Sequence, residues 1–249
     1  MYGQMYRSLP PVTKNLLIIN IIIWAFTALA GGRASFALEN FGGLHYFSSP
    51  LFNPLQLFTY MFIHANFTHL FFNMFALFMF GGILERTLGS KRFLLYYISC
   101  GLGAGLIQEG VYAIMISNYA QKLSGEELDY IYRHGADIIK QGMNYTYPLA
   151  ANFNLLLNNA TVGASGAIFG ILLAFGWLFP NMPLYLMFIP VPVKAKWMVA
   201  GYAVLELLLG ISNRAGDNVA HFAHLGGMLI GILIMLYWKR TGLFRNRYY

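Results

Sequence analysis

Residues 161–170 read TVGASGAIFG, and the apolar run continues to residue 179. Ser165 stands among Gly163, Ala164, Gly166 and Ala167, with Phe169 and Gly170 about one turn further on. Glycine and alanine bury little surface, so a helix that only faced lipid would carry Leu or Ile here. Gly166, Gly170 and Ala174 recur at four-residue spacing, a small-residue stripe that lets a second helix backbone come close within a bilayer. The stretch reads as the head of a tightly packed helix that carries a single hydroxyl.

The rest of the chain identifies the solvent. Of 249 residues, 58% are hydrophobic and 10% charged, whereas soluble domains run to roughly 45–50% apolar and 25% charged. An all-α polytopic membrane protein is predicted. Six apolar stretches, near 15–32, 58–84, 93–117, 161–179, 196–212 and 219–238, can each cross a bilayer core of ~30 Å. They form a six-transmembrane-helix bundle within one membrane domain over 1–249. The fourth and fifth are short, as suits helices that begin below the bilayer surface inside protein. The opening residues MYGQMYRSLPPVTK lack a signal-peptide pattern, so the first apolar run is read as a retained span.

The formal charge of +7 invites a nucleic-acid reading, but its distribution along the chain opposes one. With the N-terminus inside, 11 of the 16 Lys and Arg residues fall on the inner side and 5 on the outer side. That bias predicts an N-in/C-in topology. The inner charge then serves orientation and attraction to anionic lipid, and no nucleic-acid partner is expected. Two outer loops are long, 33–57 and 118–160; the second has a polar pattern suited to one or two small helices. The four prolines of PNMPLYLMFIPVPVKAK (180–196) mark a connector or hairpin on the inner side.

Polar groups inside the spans are costly and mark candidate function. They are His64, His69 and Asn73 in span two, Ser165 in span four, Glu206 in span five, and His221 and His224 at the head of span six, with Gln108 and Glu109 toward the outer end of span three. By depth, Ser165 and four of the six histidines fall in one outer-leaflet slab. His69 and Asn73, four apart, share a helix face. In AHLGGMLIG (223–231), His224 sits above Gly227 and Gly231, a second small-residue stripe. Pressed against the stripe of span four, it brings Ser165 within reach of an imidazole. A serine paired with a neutral histidine is a minimal activated nucleophile. His69, Asn73 and the Ser165 backbone N–H are candidate donors to a tetrahedral oxyanion. No acidic residue stands out as a third member, so a dyad is expected. Glu206 is open between bundle hydrogen bonding and gating. His221 is a rival base one turn nearer water, but only His224 has Gly at +3 and +7, so His221 is read as lining the cavity or hydrogen bonding.

Competing chemistries fare worse. There is no HExxH for a zinc protease, and Asp129, Asp137 and Asp217 all lie in loops, leaving no intramembrane aspartyl pair. No metal and no cofactor are expected. A transporter using His and Glu would show inverted repeats or broken helices, and neither is found.

These motifs together resemble the rhomboid family of intramembrane serine proteases. The likeness covers roughly 58–238 and rests on GASG (163–166), AHLGGMLIG (223–231), HANFTHLFFN (64–73) and GILERTLGS (82–90). It implies Ser165 as nucleophile and His224 as base. His69 and Asn73 become oxyanion or substrate-positioning donors, with His64 in support. Phe169 packs on the catalytic histidine, and Gly163, Gly166, Gly170, Gly227 and Gly231 let the helices meet. The implied substrates are single-span membrane proteins cut in or near a transmembrane helix, without ATP or metal. A multi-pass protein of a bacterial inner membrane is expected, its site opening outward. Where the family often carries Trp-Arg in the first outer loop, this chain has Leu55 and Gln56. The non-catalytic alternatives are a rhomboid-like membrane-protein binder that has lost activity and the transporter.

Overall fold

The structure is a computed structural model, which describes residues 8–185, 191–212 and 220–243. Arg7, Arg214, Arg245 and Arg247 of the charge count, and Pro190 of the connector, lie outside the described residues. Among the described residues the fold is all-α apart from one small hairpin and an isolated bridge between Leu44 and Thr161. Five helices among the described residues are long and apolar enough to cross a membrane. These are α1 (Pro11–Ala30), the continuous helix Phe67–Leu88, α6 (Ser90–Ala120), α10 (Ala195–Ser212) and α11 (His221–Arg240). The helix Phe67–Leu88 comprises α4 (Phe67–Ala76), a π-helical turn (Leu77–Gly81) and α5 (Gly82–Leu88). The shorter apolar helix α9 (Ser165–Leu178) stands among them.

Sequence governs each boundary. Pro11 opens α1 at a position where a missing N–H costs nothing. Gly89, at φ +85°, breaks Phe67–Leu88 from α6. The second span was expected from residue 58. Instead Gln56–Thr59 (α3) and Tyr60–Phe62 form short turns, and the long helix begins at Phe67 because Asn66 caps it, its side chain accepting from the His69 N–H at 2.8 Å. His64 therefore lies in the loop before the helix, not on it.

The core lies between α6, α9 and α11, with Tyr96, Tyr97, Cys100, Ile171 and Met235 fully buried. Around it the peripheral helices turn large apolar side chains outward, among them Ile22, Phe26 and Leu29 on α1, Phe71 and Phe75 on α4, and Leu208 and Ile211 on α10. So many exposed apolar groups mark a lipid-facing surface. The 118–160 segment forms two helices, α7 (Gly125–Lys140), opened by a Ser124–Glu127 capping box, and α8 (Pro148–Asn158). They enclose a separate small core of Ile116, Ile131, Phe153 and Leu157. The proline-rich connector forms a two-stranded antiparallel hairpin, β1 (Pro183–Tyr185) and β2 (Pro192–Lys194).

Candidate active site

The chain reaches Ser165 along an extended approach. Leu44 and Thr161 exchange backbone hydrogen bonds of 2.9 and 2.8 Å, and the Gly163 N–H donates to the Tyr60 carbonyl at 2.9 Å. The Tyr60 hydroxyl in turn donates to the Gly101 carbonyl at 2.6 Å, tying this segment to α6. Gly163 has φ +124°, and a Cβ there would stand 2.6 Å from His69 Cε1. Both conditions exclude a side chain. The glycine thus seats the His69 imidazole against the backbone two residues before Ser165, which opens α9.

Helix α11 supplies the opposite wall. His224 Nε2 lies 2.8 Å from Ser165 Oγ. The Phe169 ring lies flat on the His224 ring, with centroids 4.2 Å apart and planes 6° from parallel. The small-residue stripes make this contact possible. A Cβ on Gly227 would overlap the Gly166 carbonyl, and one on Gly170 would stand 3.2 Å from the Gly227 carbonyl. Gly231 leaves room for the Tyr96 hydroxyl, which donates to the Gly170 carbonyl at 2.8 Å. His224 is buried and Ser165 half-buried, so the hydroxyl stays reachable while the imidazole is held.

The remaining polar residues separate. His64 is buried with its ring 5.1 Å from that of His69, edge to face. Asn73 is also buried, but its side-chain N–H donates to the His69 carbonyl at 2.9 Å, within its own helix. Glu109 accepts the Phe47 N–H at 3.0 Å and so holds the outer loop. Gln56 in the first outer loop is a buried hub. It accepts from the His45 and Asn53 N–H groups at 3.2 Å each and donates to the Leu51 carbonyl at 2.9 Å. Residue pattern alone gave Gln56 no such role, because its partners come from both sides of a loop.

Sequence reasoning also left the dyad without an acidic neighbour, and here the structure differs. Glu206 Oε2 on α10 lies 2.9 Å from His224 Nδ1 and 2.6 Å from His221 Nδ1. The His221 contact is a well-directed hydrogen bond. The His224 contact has ion-pair distance but lies off the line of a directed N–H bond. Glu206, His221 and His224 are also the one group of three potential metal ligands among the described residues. Their oxygen–nitrogen spacings suit shared protons. Ligands around a tetrahedral zinc, each about 2.0–2.1 Å from the metal, stand about 3.3 Å apart.

Comparison with known proteins agrees with this architecture. The Rhomboid domain matches residues 52–126 and 130–241. The chain is 29% identical over 234 residues to the putative rhomboid protease YdcA of Bacillus subtilis, covering 93% of this chain and 90% of that protein. It is 30% identical over 186 residues to the rhomboid protease AarA of Providencia stuartii, covering 71% of this chain and 53% of that one. With the mitochondrial rhomboid protein 1 of Saccharomyces cerevisiae it shares 29% identity over 180 residues, 72% of this chain but only 40% of the yeast protein. By its sequence and its helical architecture this integral membrane protein belongs to the rhomboid family.

Proposed function

We propose that this protein is an intramembrane serine endopeptidase in which Ser165 is the nucleophile and His224 the general base. The observation that carries the reading is the 2.8 Å contact between Ser165 Oγ and His224 Nε2 across α9 and α11. In attack, Ser165 Oγ bonds to the scissile carbonyl carbon while its proton passes to His224 Nε2. The C–N bond then breaks, and the imidazolium returns that proton to the leaving amine. A water molecule next attacks the acyl ester, again giving a proton to His224. The ester C–O bond breaks, Oγ recovers the proton, and the new carboxylic acid leaves and gives its proton to water.

The oxyanion needs donors already in place. The Ser165 N–H lies in the first turn of α9, where backbone donors lack intrahelical partners. The His69 ring beside Gly163 adds a side-chain donor on the same wall. Asn73, through the His69 carbonyl, and His64, through the His69 ring, brace this donor.

The substrates we infer are single-span membrane proteins that enter from the bilayer. The short α9, about 21 Å long at 1.5 Å per residue, supports a serine set below the outer surface of a six-span, N-in/C-in bundle. The likeness to YdcA of Bacillus subtilis over 90% of that protein supports a bacterial cell membrane.

The test is cleavage of a transmembrane substrate by purified protein in detergent. Wild type cleaves, with or without EDTA, and Ser165→Ala and His224→Ala do not. Cleavage by Ser165→Ala removes this mechanism. A wild type inert toward a panel of helix-destabilised substrates favours a binding protein or transporter.

A further inference from the structure

We propose that Glu206 is a positioning residue for His224, which makes the centre a Ser165–His224–Glu206 array with His221 as a clamp on the carboxylate. The inference rests on the Ser165–His224 reading above. Two imidazoles, one from each of two successive turns of α11, approach the same oxygen of Glu206, through Nδ1 in both cases, at 2.6 and 2.9 Å. A carboxylate is an acceptor only, so this arrangement favours the proton of each neutral ring on Nδ1. For His224 that leaves Nε2 bare, and Nε2 is the atom 2.8 Å from Ser165 Oγ. With its proton on Nε2 the ring could not accept from the serine. Glu206 therefore selects the tautomer that makes His224 a base.

The same carboxylate matters again once the proton moves. His224 becomes an imidazolium, and its Nδ1–H then faces a buried negative charge 2.9 Å away. This is the division of labour in which an acidic residue orients and charge-balances a catalytic histidine. His221 explains how the carboxylate is held in place. Its directed 2.6 Å hydrogen bond fixes Oε2 between the two rings. The off-line geometry at His224 leaves that bond to tighten when the ring becomes charged, as catalytic hydrogen bonds do on the way to the transition state. A merely structural Glu206 predicts otherwise: removing one partner of a buried pair lowers stability, while kcat of the protein that still folds stays near wild type.

The experiment uses the full-length protein in detergent and a transmembrane peptide substrate at varied concentration. It compares wild type with Glu206→Gln, Glu206→Leu, Glu206→Asp and Ser165→Ala. Removing the charge should lower kcat by about 10²–10⁴ while KM changes less than about threefold. Glu206→Asp, which keeps the charge, should recover at least about tenfold of that loss. In parallel, nitrogen NMR of histidine-labelled protein, with His224→Ala assigning the resonance, reads the tautomer without any need for turnover. The His224 proton should sit on Nδ1 in wild type and shift toward Nε2 in Glu206→Leu, or in Glu206→Gln if the leucine variant does not fold. The proposal is overturned if Glu206→Gln retains kcat within threefold of wild type, or if the His224 tautomer ignores loss of the carboxylate. Cleavage by Ser165→Ala, or inert wild type, instead sinks the protease reading, and the NMR result still decides whether Glu206 governs His224.

Discussion

Phe169 shows how much a single side chain can fix. Its ring covers one face of His224, 4.2 Å between centroids, and so favours the imidazole orientation that reaches Ser165. Such a stacked pair contributes about 0.5–1.5 kcal/mol beyond buried area. Phe169→Ala should therefore slow cleavage about three- to tenfold in kcat with little change in KM, measured alongside a melting curve that stays cooperative. Gly163 is stricter. At φ +124°, with the His69 ring where a Cβ would go, Gly163→Ala adds backbone strain and displaces the proposed oxyanion donor together. Its kcat should fall about 10²–10³, and an active Gly163→Ala enzyme would remove His69 from that role. Ser165 and His224 were visible in sequence because each stands beside a glycine stripe. Glu206 was visible only as an acid in an apolar run, with no spacing rule tying it to either histidine.

Helices α9 and α11 meet backbone to backbone, and the price of that closeness is intolerance of a single methyl group. A Cβ at Gly227 would occupy the space of the Gly166 carbonyl, whereas one at Gly201 on α10 would meet nothing within 4 Å. Gly227→Ala should lower stability by about 1–3 kcal/mol and move Ser165 away from His224, so activity falls with the melting temperature. Gly201→Ala should stay within about 0.5 kcal/mol of wild type with full activity. Equal melting temperatures for the two variants would contradict the packing described. Both stripes could be read from four-residue spacing. The start of the Phe67–Leu88 helix could not, because apolar residues continue through 58–63 and only the capping geometry of Asn66 marks where the helix begins.

Across the whole molecule, one buried carboxylate ties distant segments together. Glu85 accepts from the Val12 and Thr13 N–H groups at 3.0 and 2.7 Å and from the Thr13 and Ser90 hydroxyls at 2.8 and 2.7 Å. One carboxylate thus caps α1 and clasps the start of α6. Glu85→Ala orphans these donors and should cost about 2–4 kcal/mol, read as a lower melting temperature in detergent. In the outer loop, burial pushes His45 below its ordinary value of 6.5. The folded protein thus keeps His45 neutral where the unfolded chain would protonate it. That stability is fully present above about pH 6.5 and is lost as pH falls toward the lowered folded value. The melting temperature should drop on acidification below 6.5, and less steeply in His45→Gln. Identical slopes would assign the drop to other groups.

Membrane residence, the apolar stretches, the small-residue stripes and the Ser165–His224 motif were all legible in the sequence, since composition and periodicity are properties of one segment at a time. Periodicity tells which residues share a face of their own helix. It does not tell how that helix is rotated against its neighbours, and three features waited on this rotation. Glu206 turns toward two histidines on another helix. Gln56 collects backbone groups from residues 40 to 53. Residues 125–158 fold into a helical pair whose asparagines bond to one another and to the outer loop through Ser49. The Glu206 and Ser49 contacts join atoms far apart in the chain at about 3 Å, a distance that only the packed bundle sets.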